Sequence, residues 1–185
     1  ADSRWIVFDC RHDLADTEKG RRAYAQSHIP GARFMHLDED LSGPKTGVNG
    51  RHPLPDAAQF CARLAALGMS NDMQVVAYDD AGGYYAARLW WMLRWVGHAR
   101  AAVLDGGWET WLKAGLETSA QAAHITPGAF RGALREPAVD VKHIVSNLGQ
   151  RASCILDARS PDRFCGENET LDPVGGHIPG ALNRF

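Results

Sequence analysis

The chain is poor in cysteine, and none of its cysteines stands in metal or redox spacing. The four, at positions 10, 61, 154 and 165, form no Cys-x-x-Cys pair and no evident disulfide framework, so neither a zinc ribbon nor a disulfide-stapled scaffold is expected. The eight histidines show no ligand spacing, and neither a metal site nor a cofactor is expected. Charge of one sign is lacking too. The formal net charge is −2 with no long run of lysine or arginine, which excludes nucleic acid and an anionic membrane surface as the main partner. No apolar stretch reaches the roughly 20 residues of a membrane span. What is present, 45% apolar and 23% charged residues in 185, suits a soluble domain with a real core. The cysteine usage favours a reducing, cytoplasmic setting.

The chain does have a repeat. His28-Ile29-Pro30-Gly31-Ala32 returns as His177-Ile178-Pro179-Gly180-Ala181, each time downstream of an apolar run ending in aspartate: Ile6-Val7-Phe8 before Asp9-Cys10-Arg11, and Cys154-Ile155-Leu156 before Asp157-Ala158-Arg159. Two elements recur in the same order with one residue inserted between them, which marks an internal duplication. One domain is expected over residues 1–120, a linker over 121–137, and the beginning of a second copy over 138–185. By this reading the chain is a piece of a longer protein. The second copy stops short at Phe185, and the lead-in Asp140 to Gly149 has its counterpart before Ala1.

Within the first copy, Trp5 to Phe8, Val75 to Tyr78 and Ala101 to Leu104 are short apolar runs of the kind buried on both faces of a parallel sheet. Helical patterns lie between them. Asp56 and Gln59 form a capping box ahead of Phe60, Leu64 and Leu67, with Gly68 as the stop. A second helix, from about Tyr85 to Val96, carries Leu89, Met92, Leu93 and Val96 on its apolar stripe and ends at Gly97. Strands alternating with helices predict an α/β domain with a mostly parallel, doubly wound sheet. Residues 118–137 are rich in alanine, glycine and proline with little periodicity, hence the linker. A helix over 141–148, capped by Asp140, opens the second copy.

Ligands of open parallel sheets bind beyond the carboxyl ends of the strands. There the chain reads Asp79-Asp80-Ala81-Gly82-Gly83-Tyr84 and runs into a helix. A glycine-rich turn at a helix start gathers backbone N–H groups around one point and favours an anion. A cysteine at that point would be a thiolate; Asp79 either fills the anion seat itself or is a turn and cap residue. Cys10, Cys61 and Cys154 are expected to be buried or half-buried, and Cys165 to sit in a loop. His28 and His177, ahead of Ile-Pro-Gly turns, suit structural hydrogen bonding better than acid–base chemistry. Trp90, Trp91 and Trp95 suit core and domain-interface contacts.

The paired Asp-x-Arg and His-Ile-Pro-Gly-Ala segments resemble the amino-terminal signature of the rhodanese family of sulfurtransferases. Leu104-Asp105-Gly106-Gly107-Trp108 with Trp111 resembles its carboxyl-terminal signature, and Gly50 to Pro55 and Val76 to Asp80 are similar to the first domain of tandem members. The resemblance implies a rhodanese-like fold and a persulfide shuttle. The first domain would be a degenerate partner with Asp79 at the active-loop position, and the catalytic cysteine would lie beyond Phe185, leaving none in this chain. It also implies that Arg163 holds the anionic substrate. Mercaptopyruvate-specific members tend to carry a second arginine some nine residues on, where Asp172 stands here, so thiosulfate is the expected donor and 3-mercaptopyruvate the alternative. A non-catalytic rhodanese module that binds or regulates is the rival of another class. The expected partners are a small anionic sulfur donor, a thiophilic acceptor such as cyanide, and the remainder of the second domain, which could be a separate peptide.

Overall fold

The computed structural model describes residues 4–135, 138–150, 152–170 and 172–185. The chain divides into two compact units, Ala1–Pro137 and Ala138–Phe185. The first unit runs β1 (Trp5–Asp9), α1 (Lys19–Gln26), β2 (Arg33–Phe34), α2 (Ala57–Ala66), β3 (Gln74–Tyr78), α3 (Ala86–Trp95), β4 (Ala101–Val103) and α4 (Gly107–Lys113). Its four strands pair in the order β2-β1-β3-β4, all parallel, as crossovers through helices require.

Side chains alternate across the sheet and sort the apolar residues into two layers. Ile6, Phe8, Val75 and Ala77 face α2 and α3, where Phe60, Leu64, Leu89, Met92 and Leu93 complete the main core. Tyr78, with Val7 packed beside it, belongs to the opposite layer, under Ile29, Ala32 and Trp108. Helices on both faces make the sheet doubly wound, as the strand–helix alternation predicted. Trp5 departs from the buried run and is exposed at the head of β1. Of the tryptophans of α3, Trp95 is buried in the core, Trp91 packs against it, and Trp90 carries Arg94 over its ring at 5.3 Å.

The helix signals act as expected. Asp56 Oδ1 accepts from Gln59 N at 2.9 Å, and Gly68 and Gly97 close α2 and α3 at positive φ. The described part of the expected linker, by contrast, is strapped to the first unit. Gly128 N donates to Ala65 O, Ala133 N to Val96 O and Arg135 N to Trp95 O, while Phe130 sits in the main core. Composition explains why the strap lacks side-chain pattern: a Cβ on Gly128 would lie 2.1 Å from Met69 O, so only glycine permits the approach. Glu136 and Pro137, the end of that segment, lie outside the described residues.

The second unit comprises α5 (Val141–Gln150), β5 (Leu156–Asp157), α6 (Pro161–Cys165) and β6 (Leu182–Asn183), with β5 and β6 parallel. Asp140 caps α5 by accepting from His143 N at 2.9 Å. Cys165 ends α6 instead of lying in a loop, and Cys154, expected to be at least half-buried, is exposed. Burial there needs strands on both sides. β1 lies between β2 and β3, whereas among the described residues β5 has one neighbour, β6. Among the described residues no helix is long and apolar enough to cross a membrane.

Candidate functional site

The carboxyl ends of β1, β2 and β3 lie side by side and deliver Asp9, Phe34 and Tyr78 to one edge of the sheet. Just beyond β3, Asp79 is 1% exposed and its carboxylate sits at the focus of the following loop. Oδ1 accepts from Ala81 N at 2.9 Å and Gly83 N at 2.8 Å; Oδ2 accepts from Tyr85 N at 2.7 Å and Ala86 N at 2.8 Å. The last two donors stand at the start of α3, where the helix dipole adds its positive end. The residue that opens the turn thus also places its carboxylate at the point where the loop's backbone N–H groups converge. Its own carbonyl accepts from Trp108 N at 2.8 Å, and a Cβ on Gly107 would lie 2.4 Å from that oxygen.

Beside this loop the Asp-x-Arg motif forms a clamp. Arg11 grips both carboxylate oxygens of Asp9 through Nε and Nη2, with a closest approach of 2.7 Å, and reaches Ser27 O with Nη2. Its guanidinium lies 4.5 Å from the ring centre of Trp108, which stacks on Tyr78. Tyr78 donates to Asp9 Oδ2 at 2.6 Å and accepts from Ile29 N. Burial, followed by the Asp9 charge, pushes the Tyr78 hydroxyl far above the ordinary range and keeps it a donor. Burial likewise pushes the Cys10 thiol up, with Asp9 and Asp79 adding to it, so this cysteine is a poor nucleophile.

The five-residue phrase serves the same architecture. His28 stacks on Tyr24 at 4.0 Å and is fully buried, with Nδ1 facing Tyr24 O and Nε2 facing Gln121 O. In the second unit Arg159 repeats the grip on Asp157 and reaches Gly176 O, and His177 stacks on Phe164 at 3.7 Å with Nδ1 facing Phe164 O. The ion pair draws the Asp157 carboxyl down to about 2. Both histidines are held by carbonyl oxygens.

Arg163 projects from α6 into a small acidic nest. Its Nε and Nη2 hold Glu169 at 2.9–3.1 Å, and Nη2 also reaches Asp172 Oδ2 at 3.0 Å. Glu169 is close to Arg159 as well, at 3.6 Å. Arg163 and Asp172, singled out from sequence, are therefore brought together; Leu171 between them lies outside the described residues. Sequence reasoning did not single out Glu169, although its spacing of six from Arg163 after a glycine was the available signal.

A second feature of the first unit escaped sequence reading. A cleft of about 260 Å³ is lined by Leu37, Arg51, His52, Tyr84, Tyr85 and Arg88. Arg88 is anchored from behind: it donates to Leu41 O, His52 O and Pro53 O, and so fixes the Gly50 to Pro55 stretch. Cationic and hydroxyl side chains around one cleft suit a small anion.

A family profile described as Rhodanese-like domain matches residues 1–114. The chain is 46% identical over 182 residues to a probable 3-mercaptopyruvate sulfurtransferase of Pseudomonas aeruginosa, covering 95% of this chain and 63% of the relative. It is 34% identical over 185 residues to thiosulfate sulfurtransferase of Bos taurus, covering 96% and 61%. The crystal structure of SseA from Escherichia coli, a 3-mercaptopyruvate sulfotransferase, superposes with a TM-score of 0.85 at 31% identity, covering 98% of this chain and 69% of that one. The chain thus spans about three fifths of the length of the curated relatives it matches. With the profile matched across all four strands of the first sheet, the chain belongs to the rhodanese-like domain family.

Proposed function

We propose that this chain is the larger part of a sulfurtransferase whose donor is 3-mercaptopyruvate. The observation that carries the reading is the 46% identity to the probable 3-mercaptopyruvate sulfurtransferase of Pseudomonas aeruginosa, above the 34% to the bovine thiosulfate enzyme. The thiosulfate expectation, drawn from Asp172 alone, gives way to it. Asp172 pairs with Arg163 and so reports on local charge balance, not on the donor.

In this reading residues 138–185 begin a second copy of the domain, completed outside the chain. Exposure supports it: Leu156 and Ile178 are 63% and 42% exposed, while their counterparts Phe8 and Ile29 are 0% and 6%. The first copy is the degenerate partner, since the carboxylate of Asp79 occupies the cradle where a nucleophile would sit. The catalytic cysteine lies outside the chain. Its thiolate attacks the donor sulfur, the carbon–sulfur bond breaks, and pyruvate leaves as its enolate and takes a proton. The persulfide then passes its outer sulfur to a thiophilic acceptor. Arg163 holds the donor carboxylate. Having five N–H donors, it can add a ligand to its acidic nest.

Steady-state kinetics of the complete protein with both donors test this. The expected result is a specificity constant at least tenfold higher for 3-mercaptopyruvate, falling by about ten- to a hundredfold in Arg163→Ala and partly restored in Arg163→Lys. Preference for thiosulfate would restore the first expectation. No turnover with either donor would favour the non-catalytic module, a reading that the filled cradle of the first unit also suits. Residues 1–185 alone should transfer no sulfur.

A further inference from the structure

The loops after β1 and β2 start from adjacent parallel strands and converge, although their sequences lie far apart. They bring together His12, His36 and Asp38, whose ligand atoms all lie within 4.8 Å of one another. His12 is the unusual member. Its side chain is 1% exposed, and neither Nδ1 nor Nε2 has a hydrogen-bond partner. Buried imidazoles are normally satisfied, so an orphan of this kind asks for an explanation. Its ring is fixed edge-on against His36 and Tyr85, each at 5.3 Å, and its Nε2 lies 3.9 Å from Asp38 Oδ2. A hydrogen bond cannot span that distance.

We propose that His12, Asp38 and His36 form a binding site for a first-row divalent transition cation of the zinc type. The donor set, two imidazoles and one carboxylate, is one such cations accept. Ligand atoms around a tetrahedral zinc ion stand about 3.3 Å apart, so the His12–Asp38 gap must close by roughly half an ångström. Asp38 can supply that movement because it stands on a partly exposed loop, where Lys45 at 3.2 Å and His52 at 3.5 Å share its other oxygen. His36 must exchange a contact to ligate: its Nδ1 now accepts from Asp38 N and Glu39 N at 3.1 and 3.3 Å, and its Nε2 faces Thr17 O. His52 is the nearest further imidazole on the same carboxylate. Access is from a cleft of about 360 Å³ in which His12 lies with Asp13, Lys19, Asp80 and Tyr85. The reading is independent of any sulfur chemistry, because no cysteine takes part.

The test is a titration of residues 1–185 with Co²⁺, read by the visible absorption of a low-symmetry site, followed by Zn²⁺ competition. One equivalent should bind, and Zn²⁺ should displace it. His12→Phe and Asp38→Asn should each weaken binding at least tenfold, while His143→Ala, on the exposed face of α5, should leave it unchanged. His12→Phe should also melt no lower than the parent without metal, since the ring it replaces makes no hydrogen bond. Absence of a saturable Co²⁺ spectrum would overturn the proposal, as would full retention in both folded variants. Loss of binding in His143→Ala would assign the metal to surface histidine and overturn it equally.

Discussion

Replacing Asp79 by alanine removes one carboxylate and strands four backbone donors. Two of them, Ala81 N and Gly83 N, lie in the partly buried stretch of the loop and can recover water. The other two, Tyr85 N and Ala86 N, are buried, and each unsatisfied donor of that kind costs roughly 1–3 kcal/mol. The expected loss is therefore about 4 kcal/mol, against about 1 kcal/mol for a simple helix cap. The isosteric amide is no remedy: in Asp79→Asn one acceptor becomes an NH₂ group facing two N–H groups, so that variant should lose at least half as much. All six tryptophans, at 5, 90, 91, 95, 108 and 111, belong to the first unit. Urea unfolding followed by tryptophan fluorescence therefore reads this unit alone, and the melting temperature should drop by roughly 10–20 °C. A loss of 1 kcal/mol or less in Asp79→Ala would refute the cradle as the organiser of this loop.

Arg11→Lys should destabilise the first unit by about 2 kcal/mol in the same assay, because lysine keeps the charge but loses the fork on Asp9 and the stack on Trp108. Arg159→Lys, in the second unit where no tryptophan reports, should have a smaller effect, read from the amide chemical shifts of β5 and β6 during urea unfolding, its clamp being 28% exposed against 4% for Arg11. Under native conditions a thiol reagent should label Cys154 and Cys165 quickly and Cys10 and Cys61 only on unfolding, as mass spectrometry of the digest would reveal. Burial raises the folded pKa of Cys10, so its contribution to stability is complete below about 8.5, the unfolded value, and is lost as pH rises beyond it. Asp157 runs the other way. Its carboxyl is lowered to about 2 by Arg159, so its contribution is present above about 4 and is lost as pH falls towards 2, a change visible in the chemical shifts of β5 and β6.

The parallel sheet was legible because buried strands are continuous apolar runs, and α2 because its cap and stop are chemical signals. β2 was not. Arg33–Phe34 is two residues long and carries no apolar pattern; its partner β1 defines it. The strap over residues 121–135 was illegible for another reason, since its own contribution to the hydrogen bonds is backbone, paired with other backbone groups or with side chains elsewhere such as His28, Ser70 and Asn71. Asp79 could be placed from sequence because a strand, a glycine turn and a helix frame it. The His12 cluster could not, because loops that meet only through strand order leave no spacing to read. Cys154 misled for a related reason: an apolar run states what a strand could bury, while its neighbours decide whether it does.

The two units agree at the clamp and differ between its parts. In the first, α1 comes directly before the phrase, and Tyr24, four residues ahead of His28, supplies both the stacking ring and the carbonyl for Nδ1. In the second, α6 begins two residues after Arg159, and Phe164 supplies the same two contacts from thirteen residues ahead. Both units thus supply an aromatic roof and a carbonyl for the histidine, from different positions in the intervening chain. With the helix placed early, the described residues between Gly166 and Gly176 hold no helix or strand, and Glu169 and Asp172 among them reach Arg163. The first unit uses the same interval differently: there the chain carries His12 and Asp13 past the strand edge before α1 begins. The same clamp therefore stands beside an arginine held by acids in one unit and a buried histidine without a hydrogen bond in the other, because loop residues are constrained only at the points where the clamp is closed.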